Sequence, residues 1–439
     1  MLDIKYIREN ADKIKKSAEQ KHVDVDIDKL LNIDEERRSL IAEIEKLRTR
    51  RNELGEAGKA GKPSEELINE GKELKVKIAD LEVKLKAVED DYNYLMVKVP
   101  TIPSADTPVG EDESENVEVF KWGEPRKFDF PQKNHIELGE SLDIIDFDRG
   151  VKVAGYRGYY LKNEAVSLQM ALMLFALDKL ISKGFRPMIP PTLVKEFPLF
   201  GSGYFSGREY NPEVDEIYKI ENGEKEADGT VKKDNRFLIG TAEPSLLAYY
   251  SNETLDGKDL PMKLCGFSQC YRSEIGSYGK DTKGIYRVHE FMKVEQVCIT
   301  PADIELSDKL HQEMIGISKE LHQDLGLPYH LLQICTGDMS AGKYKMFDIE
   351  AWIPSRNAYG ETGSASNFLD WQSRRLNVKY RDSNGEVRHV YMLNNTALAS
   401  ARTIIAILEN FQEADGSVTI PEVLRKWMPG NIGKIEKKK

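Results

Sequence analysis

YRSEIGSYGKDTKGIYRVHEFMKVEQV, residues 271–297, decides the fold. The stretch opens on Arg272 and Glu274, crosses glycines 276, 279 and 284, and closes on an alternating run. Alternation is the period of a strand. Two such segments around a Gly-rich turn predict a long antiparallel hairpin. On its return strand, Arg287, His289, Phe291, Lys293 and Glu295 would share one face. Cations, a flat ring and a carboxylate make a poor core but a good nucleotide platform. Arginines suit phosphates, the ring suits a base, and the carboxylate suits an amine or hydroxyl. A solvated outer face carrying one Phe fits the same periodicity.

The chain has 439 residues, enough for two or three domains with a substantial core. Hydrophobic residues make up 40 % and charged residues 31 %, and no apolar run is expected to reach the ~20 residues of a bilayer span. The start, MLDIKYIRENADKIKKS, is charged and amphipathic and lacks an apolar signal region, which speaks against secretion. The four cysteines, 265, 270, 298 and 335, form no CxxC or Cys/His set at zinc spacing. Reduced, mostly buried cytoplasmic thiols are the expectation. With a net charge of −11, any nucleic acid must be met by local basic surfaces and with strong salt dependence.

After a short amphipathic helix within residues 1–26, two heptad arrays run without a slip. The first is Leu30, Ile33, Arg37, Leu40, Ile44, Leu47, Arg51, Leu54. The second is Leu67, Gly71, Leu74, Ile78, Leu81, Leu85, Val88, Tyr92, Leu95, Val99. Between them GEAGKAGKPS, 55–64, ends on an N-cap candidate, Ser64. Two such helices fold back as an antiparallel coiled-coil hairpin, a rod of about 45–50 Å. Arg37, Arg38, Arg48, Arg50, Arg51, Lys59 and Lys62 make its first arm and tip basic. Ion pairs to Glu35, Glu43 and Glu45 on a solvated helix would account for the same charges. Pro100 stops the second helix. Residues 101–134 read as a linker, irregular over 101–120, and mixed α/β composition begins at about 135.

Further on, AVSLQMALMLFALDKLISKG, 165–184, predicts a long, largely buried helix ending at Gly184. FRPMIPP follows, and its prolines restrict it to an edge strand or a strand pairing across a subunit boundary. Thr241-Ala242-Glu243 lies between an apolar LIG and Pro244. In Tyr359–Phe368, Glu361 and Ser364 offer a carboxylate and a hydroxyl three residues apart, a sparse donor set that suits Mg2+. A Gly/Ser turn with an exposed Glu is the plainer alternative. Leu393–Thr403, LNNTALASART, runs into the apolar helix IIAILEN.

These segments together resemble the seryl-tRNA synthetases of class II: residues 265–297 resemble motif 2, 165–193 motif 1 and 391–411 motif 3. The resemblance implies an α+β fold, with an antiparallel-sheet catalytic domain over 135–439 and an N-terminal coiled-coil arm over 1–100. It implies a serine–tRNA ligase that makes seryl-adenylate and pyrophosphate from ATP, then charges tRNA(Ser). Many members also charge tRNA(Sec), which the sequence leaves open. The implied serine pocket is Thr241, Ala242, Glu243, Arg272, Glu295 and Thr396. Glu295 and Thr396 would hold the substrate hydroxyl, and Thr241 with Glu243 the ammonium. The implied ATP set is Arg272, Ser273, Glu274, Arg287, Val288, Phe291, Glu361, Thr362, Gly363, Ser364 and Arg402, with Mg2+ on Glu361 and Ser364. Ala397 and Ala401 stand where motif 3 often carries glycine, and Gly363 where many members have a bulkier residue. Arg37, Arg38, Arg48, Arg50 and Arg51 would contact tRNA, no separate anticodon domain is expected after Leu424, and motif 1 would form a homodimer in the cytoplasm. The arm counts against a carrier-protein ligase on the same catalytic domain. The retained ATP-contacting residues count against a non-catalytic paralogue.

Overall fold

The computed structural model describes residues 1–59, 64–205, 207–225, 227–275 and 283–437. The chain divides into two compact units, Met1–Ile102 and Pro103–Lys439.

In the first unit the expected single N-terminal helix is two, α1 (Ile4–Glu9) and α2 (Ala11–Gln20), because Asn10 leaves helical geometry at φ −124°, ψ 25°. The long helices are α3 (Ile27–Lys59) and α4 (Glu65–Met96). Ser64 caps α4 by accepting from the Leu67 amide at 3.3 Å. Residues 60–63 of the expected turn, Lys62 among them, lie outside the described residues. All the heptad positions are buried or half-buried except Arg51, which is exposed. A continuous apolar seam therefore holds the two helices together. Arg37, although in the seam, pairs with Glu89 at 3.3 Å and lies 4.9 Å over the Tyr92 ring. Arg48 pairs with Glu82 at 2.7 Å and Arg50 with Glu70 at 2.8 Å, so the partners of α3 descend along α4, as antiparallel helices require. Arg38 pairs with buried Asp34 at 3.2 Å. The expected local partners Glu35, Glu43 and Glu45 are thus not those the arginines take.

In the second unit, eight strands among the described residues form one sheet: β1 (Val117–Trp122), β2 (Arg186–Met188), β3 (Met262–Tyr271), β4 (Glu290–Thr300), β5 (Tyr329–Gln333), β6 (Lys345–Ile353), β7 (Ala358–Asn367) and β8 (Tyr391–Ala399). Their order is β1-β5-β6-β7-β8-β4-β3-β2. Every pairing is antiparallel except β2 on β3. This mixed α+β unit and the long N-terminal helices are the fold class the sequence led us to expect. The expectation of an irregular segment needs one change: residues 117–122 of the linker are an edge strand, β1, paired with β5. β2, carrying Pro187, is the opposite edge, where a missing amide costs no ladder bond.

Helices α5 (Glu164–Ser182), α6 (Ile304–Asp324) and α7 (Ser400–Asn410) pack against the sheet. Gly184 follows α5 at φ +83°, and the Phe185 amide reaches back to the Leu180 carbonyl at 3.0 Å, a left-handed stop that favours Gly. Among the described residues α5 is the one helix long and apolar enough, by length and composition, to cross a bilayer, against the expectation that no run would be. Its buried face, with Leu168, Leu172, Ala176 and Leu180, belongs to the main core. Val166, Met170, Leu174 and Ile181 are exposed, so the helix is half-buried rather than largely buried.

Candidate active site

β3 and β4 pair from Tyr271↔Glu290 to Met262↔Ile299, so the expected hairpin forms. The return strand starts later than the alternation suggested, at Glu290. Arg287 and His289 therefore precede the strand and do not share its ladder face. They are placed by hydrogen bonds instead: His289 Nδ1 donates to the Arg272 carbonyl at 2.9 Å, and the Arg272 amide donates to the His289 carbonyl at 3.0 Å. Arg287 binds Glu274 at 2.8 Å, and Arg157 stands 3.8 Å from the same carboxylate. Glycines 276 and 279 lie outside the described residues.

A cavity opens beside this hairpin. Arg272, Arg287 and Arg402 line it, with Phe291, Lys293, Thr396, Glu274, Glu361 and the backbone around Thr362 and Gly363. Val288 is buried at its wall. The Arg272 guanidinium sits 5.4 Å over the Phe291 ring. Arg402 donates to the Glu361 carbonyl at 2.8 Å, to its Oε2 at 3.0 Å and to the Tyr286 carbonyl at 3.2 Å. The Tyr286 ring centroid is 4.6 Å from the Arg402 guanidinium and 4.2 Å from that of Arg356. Two members of the ATP set do not line the cavity, Ser273 and Ser364, and the buried Ser273 hydroxyl finds no partner among the described residues.

Two β-bulges set the site. In β8 the register steps from Val294↔Leu398 to Glu295↔Thr396, leaving Ala397 over. In β7 it steps from Ile349↔Gly363 to Glu350↔Glu361, leaving Thr362 over. Residues three apart on a regular strand face opposite ways, and one extra residue restores their parity. Thr396 and Ala399 thus come to one face opposite Glu295 and Lys293, and Glu361 and Ser364 to one face opposite Glu350 and Asp348. A Cβ on Gly363 would stand 3.1 Å from both Ile349 Cγ2 and the Thr396 carbonyl oxygen, so glycine fits the crowded side of the β7 bulge.

At the cavity floor, Lys293 Nζ lies 2.7 Å from Glu295 Oε2 and donates to Thr396 Oγ1 at 3.2 Å, while Thr396 donates to Glu295 at 3.3 Å. Deeper still, Glu243 accepts from Gln372 at 2.6 Å, Asn394 at 2.8 Å and the Tyr204 hydroxyl at 3.1 Å. Burial, with the Glu295 charge nearby, pushes the Glu243 carboxyl up to about 7. Thr241 stands by the Glu243 amide at 3.5 Å, and Ala242 packs into the core. Sequence reasoning had Lys293 on the right face without a role, and missed Tyr286, Tyr204, Gln372 and Asn394. Of these, Tyr286 and Asn394 lie within the stretches 271–297 and 393–403 that it had singled out, without a role given to them there.

Glu361 and Ser364 face a second carboxylate, Asp348, which hydrogen-bonds Ser364. Its Oδ1 is buried with no hydrogen-bond partner among the described residues. Burial and the neighbouring Glu361 hold the Asp348 carboxyl well above its ordinary range. Among the described residues no three His, Cys, Asp or Glu side chains form a metal cluster. The donor set is one carboxylate and one hydroxyl beside an orphaned carboxylate oxygen. It fits a hard cation carried mainly by phosphates and water.

Residues 1–103 match the family description "Seryl-tRNA synthetase N-terminal domain", and residues 218–411 match "tRNA synthetase class II core domain (G, H, P, S and T)". The chain is 43 % identical to the serine–tRNA ligase of Borrelia garinii subsp. bavariensis over 97 % of its own length and 98 % of the relative's. It is 41 % identical to that of Treponema denticola over the same shares. Its fold superposes with a TM-score of 0.88 on the seryl-tRNA synthetase from Pyrococcus horikoshii complexed with ATP, at 38 % identity and full coverage of both chains.

Proposed function

The chain belongs to the seryl-tRNA synthetases of class II, and we propose that the cavity beside the β3–β4 hairpin binds ATP and serine to make seryl-adenylate for transfer to tRNA(Ser). In the first step a serine carboxylate oxygen attacks the α-phosphorus and pyrophosphate leaves. In the second a ribose hydroxyl at the tRNA 3′ end attacks the adenylate carbonyl and AMP leaves. Both steps develop charge on phosphate or carbonyl oxygens, so positioning and cationic stabilisation supply the catalysis. Three guanidinium groups at the walls of one cavity are the observation that carries this reading. Arg272 would bridge the serine carboxylate and α-phosphate, Arg287 and Arg402 would hold outer phosphates, and Phe291 would stack on adenine. Mg2+, held by Glu361 and Ser364, would neutralise charge on the phosphate oxygens.

Serine specificity follows from the floor. A substrate hydroxyl would replace contacts that Lys293, Glu295 and Thr396 now make with one another, and alanine would leave them unpaired. Thr396→Val is therefore expected to lower kcat/KM for serine by about 1–3 kcal/mol equivalents. An unchanged value in ATP–pyrophosphate exchange would remove Thr396 from the pocket.

The ammonium would sit near Glu243 and favours its ionised form. Because the free carboxyl is pushed up to about 7, a proton must leave on binding at lower pH. Serine KM is expected to be level above pH 7 and to rise about tenfold between pH 7.5 and 6. A flat KM over that range would place the ammonium elsewhere.

The arm would grip the tRNA, and the same reading extends to tRNA(Sec). Exposed Arg51 supports it, as do Arg48 and Arg50, whose surface ion pairs are weak enough to exchange for phosphates, whereas Arg38 is tied to the buried Asp34 carboxylate. A homodimer would cover the exposed stripe Val166, Met170 and Leu174 of α5 together with Ile189 and Leu193. Leu174→Glu is expected to halve the mass seen by light scattering, and a wild-type monomer would contradict this. The four buried free thiols support a cytoplasmic protein.

A further inference from the structure

The bulge that brings Glu361 and Ser364 to one face rests on a side chain from behind the sheet. Thr362, the extra residue, is 4 % exposed, and its single hydroxyl proton is shared between two acceptors. One is His322 Nε2 at 2.8 Å; the other is the carbonyl of Ile349 at 3.1 Å, at the step in the ladder. His322, 1 % exposed, lies at the end of α6, and its Nδ1 is 2.8 Å from the Ser318 carbonyl. A carbonyl only accepts, so Nδ1 carries the proton. Burial keeps the ring neutral, pushing it down to about 4, and leaves Nε2 as an acceptor for Thr362.

One turn back along α6, Ser318 Oγ donates to the Thr396 carbonyl at 3.0 Å and accepts from Asn395 at 2.9 Å. A single face of α6 therefore reaches both bulged strands. Ser318 holds β8 at the serine side and His322 holds β7 at the phosphate side.

We infer that His322 and Thr362 act as a pair of positioning residues that fix the β7 bulge, and so set how Glu361 and Ser364 receive the metal–nucleotide complex. This rests on the reading of the cavity as the ATP site. A bulge leaves the ladder one residue out of step, and an unpinned strand can relax toward regular pairing. Relaxation would turn Glu361 away from Ser364 without touching the serine floor. Thr362→Val leaves the buried His322 acceptor without a donor, and His322→Leu leaves the Thr362 hydroxyl only the Ile349 carbonyl, so the bulge loses its tie to α6 in either case. Removing both at constant shape leaves no unpaired group between the ring and the bulge.

The test is equilibrium binding of Mn2+ in the presence of a non-hydrolysable ATP analogue, read by electron paramagnetic resonance on the full chain. Serine affinity and Tm are measured in parallel. His322→Leu and Thr362→Val are each expected to weaken Mn2+ binding at least fivefold with serine affinity within twofold. The double variant is expected to recover to within threefold of the parent. His322→Gln and Thr362→Ser, which keep the acceptor and the hydroxyl, are expected within twofold; if the Leu or Val variant fails to fold, these are read against His322→Ala and Thr362→Ala. Unchanged Mn2+ binding in the single variants overturns the inference, as does an additive loss in the double, or a fall in Tm with metal binding intact. A parent protein that binds neither Mn2+ nor the analogue would instead refute the ATP-site reading.

Discussion

Replacing residues 35–90 by a short turn is expected to abolish serylation of tRNA while ATP–pyrophosphate exchange stays within about threefold of the parent. The cut removes most of α3 and α4 with their shared seam and leaves α1 and α2. The residues proposed to bind ATP and serine, from Thr241 to Arg402, all lie in the second unit. A tRNA, by contrast, must be held against a chain of net charge −11, and long-range attraction will not do it. The arm concentrates arginines on one helix, where their present glutamate partners offer little to lose. Steep salt dependence of the parent's tRNA binding should accompany this result. Equal loss of both reactions would make the arm a structural support and end its role in RNA binding.

Arg402→Ala is expected to cut kcat/KM for ATP in exchange by about 10²–10³, with Tm little changed. Removing one preorganised cationic contact to a developing charge in a sequestered site has that scale. Arg402 also joins the Glu361 carbonyl, the Glu361 carboxylate and the Tyr286 carbonyl, so its loss frees the Glu361 side chain as well. The loss should therefore exceed that of Thr396→Val, whose hydroxyl meets only one end of one substrate. Arg402→Lys should recover little, since an ammonium cannot span the same three acceptors. Retention of more than a tenth of the activity by Arg402→Ala would detach Arg402 from the phosphate site.

The elements with a clear period were legible in the sequence. The heptads of α3 and α4 appear as helices with the seam where the spacing put it, and the β3–β4 hairpin follows from alternation. Pro187 correctly confined its segment to an edge. What escaped was set by tertiary pairing. The edge strand β1 carries exposed residues along nearly its whole length, so it offered no alternation to read. Arg287 and His289 lie off the ladder because Glu274 and the Arg272 backbone hold them, which no local pattern encodes. The bulges at Ala397 and Thr362 decide which side chains share a face, yet each is one residue without a composition of its own. Glu361 and Ser364 were paired by their spacing and by a family likeness, while plain strand parity would have parted them. Tyr204 came from a segment with no chemical signature, and Tyr286 lay inside 271–297 but carried no sign of its role there.

The account stands or falls on what the cavity activates. ATP–pyrophosphate exchange with the full-length protein, run against each of the twenty amino acids, should show strong exchange with serine and at least a hundredfold less with alanine, glycine and valine. Exchange with no amino acid by a folded protein, or faster exchange with another amino acid than with serine, would contradict it.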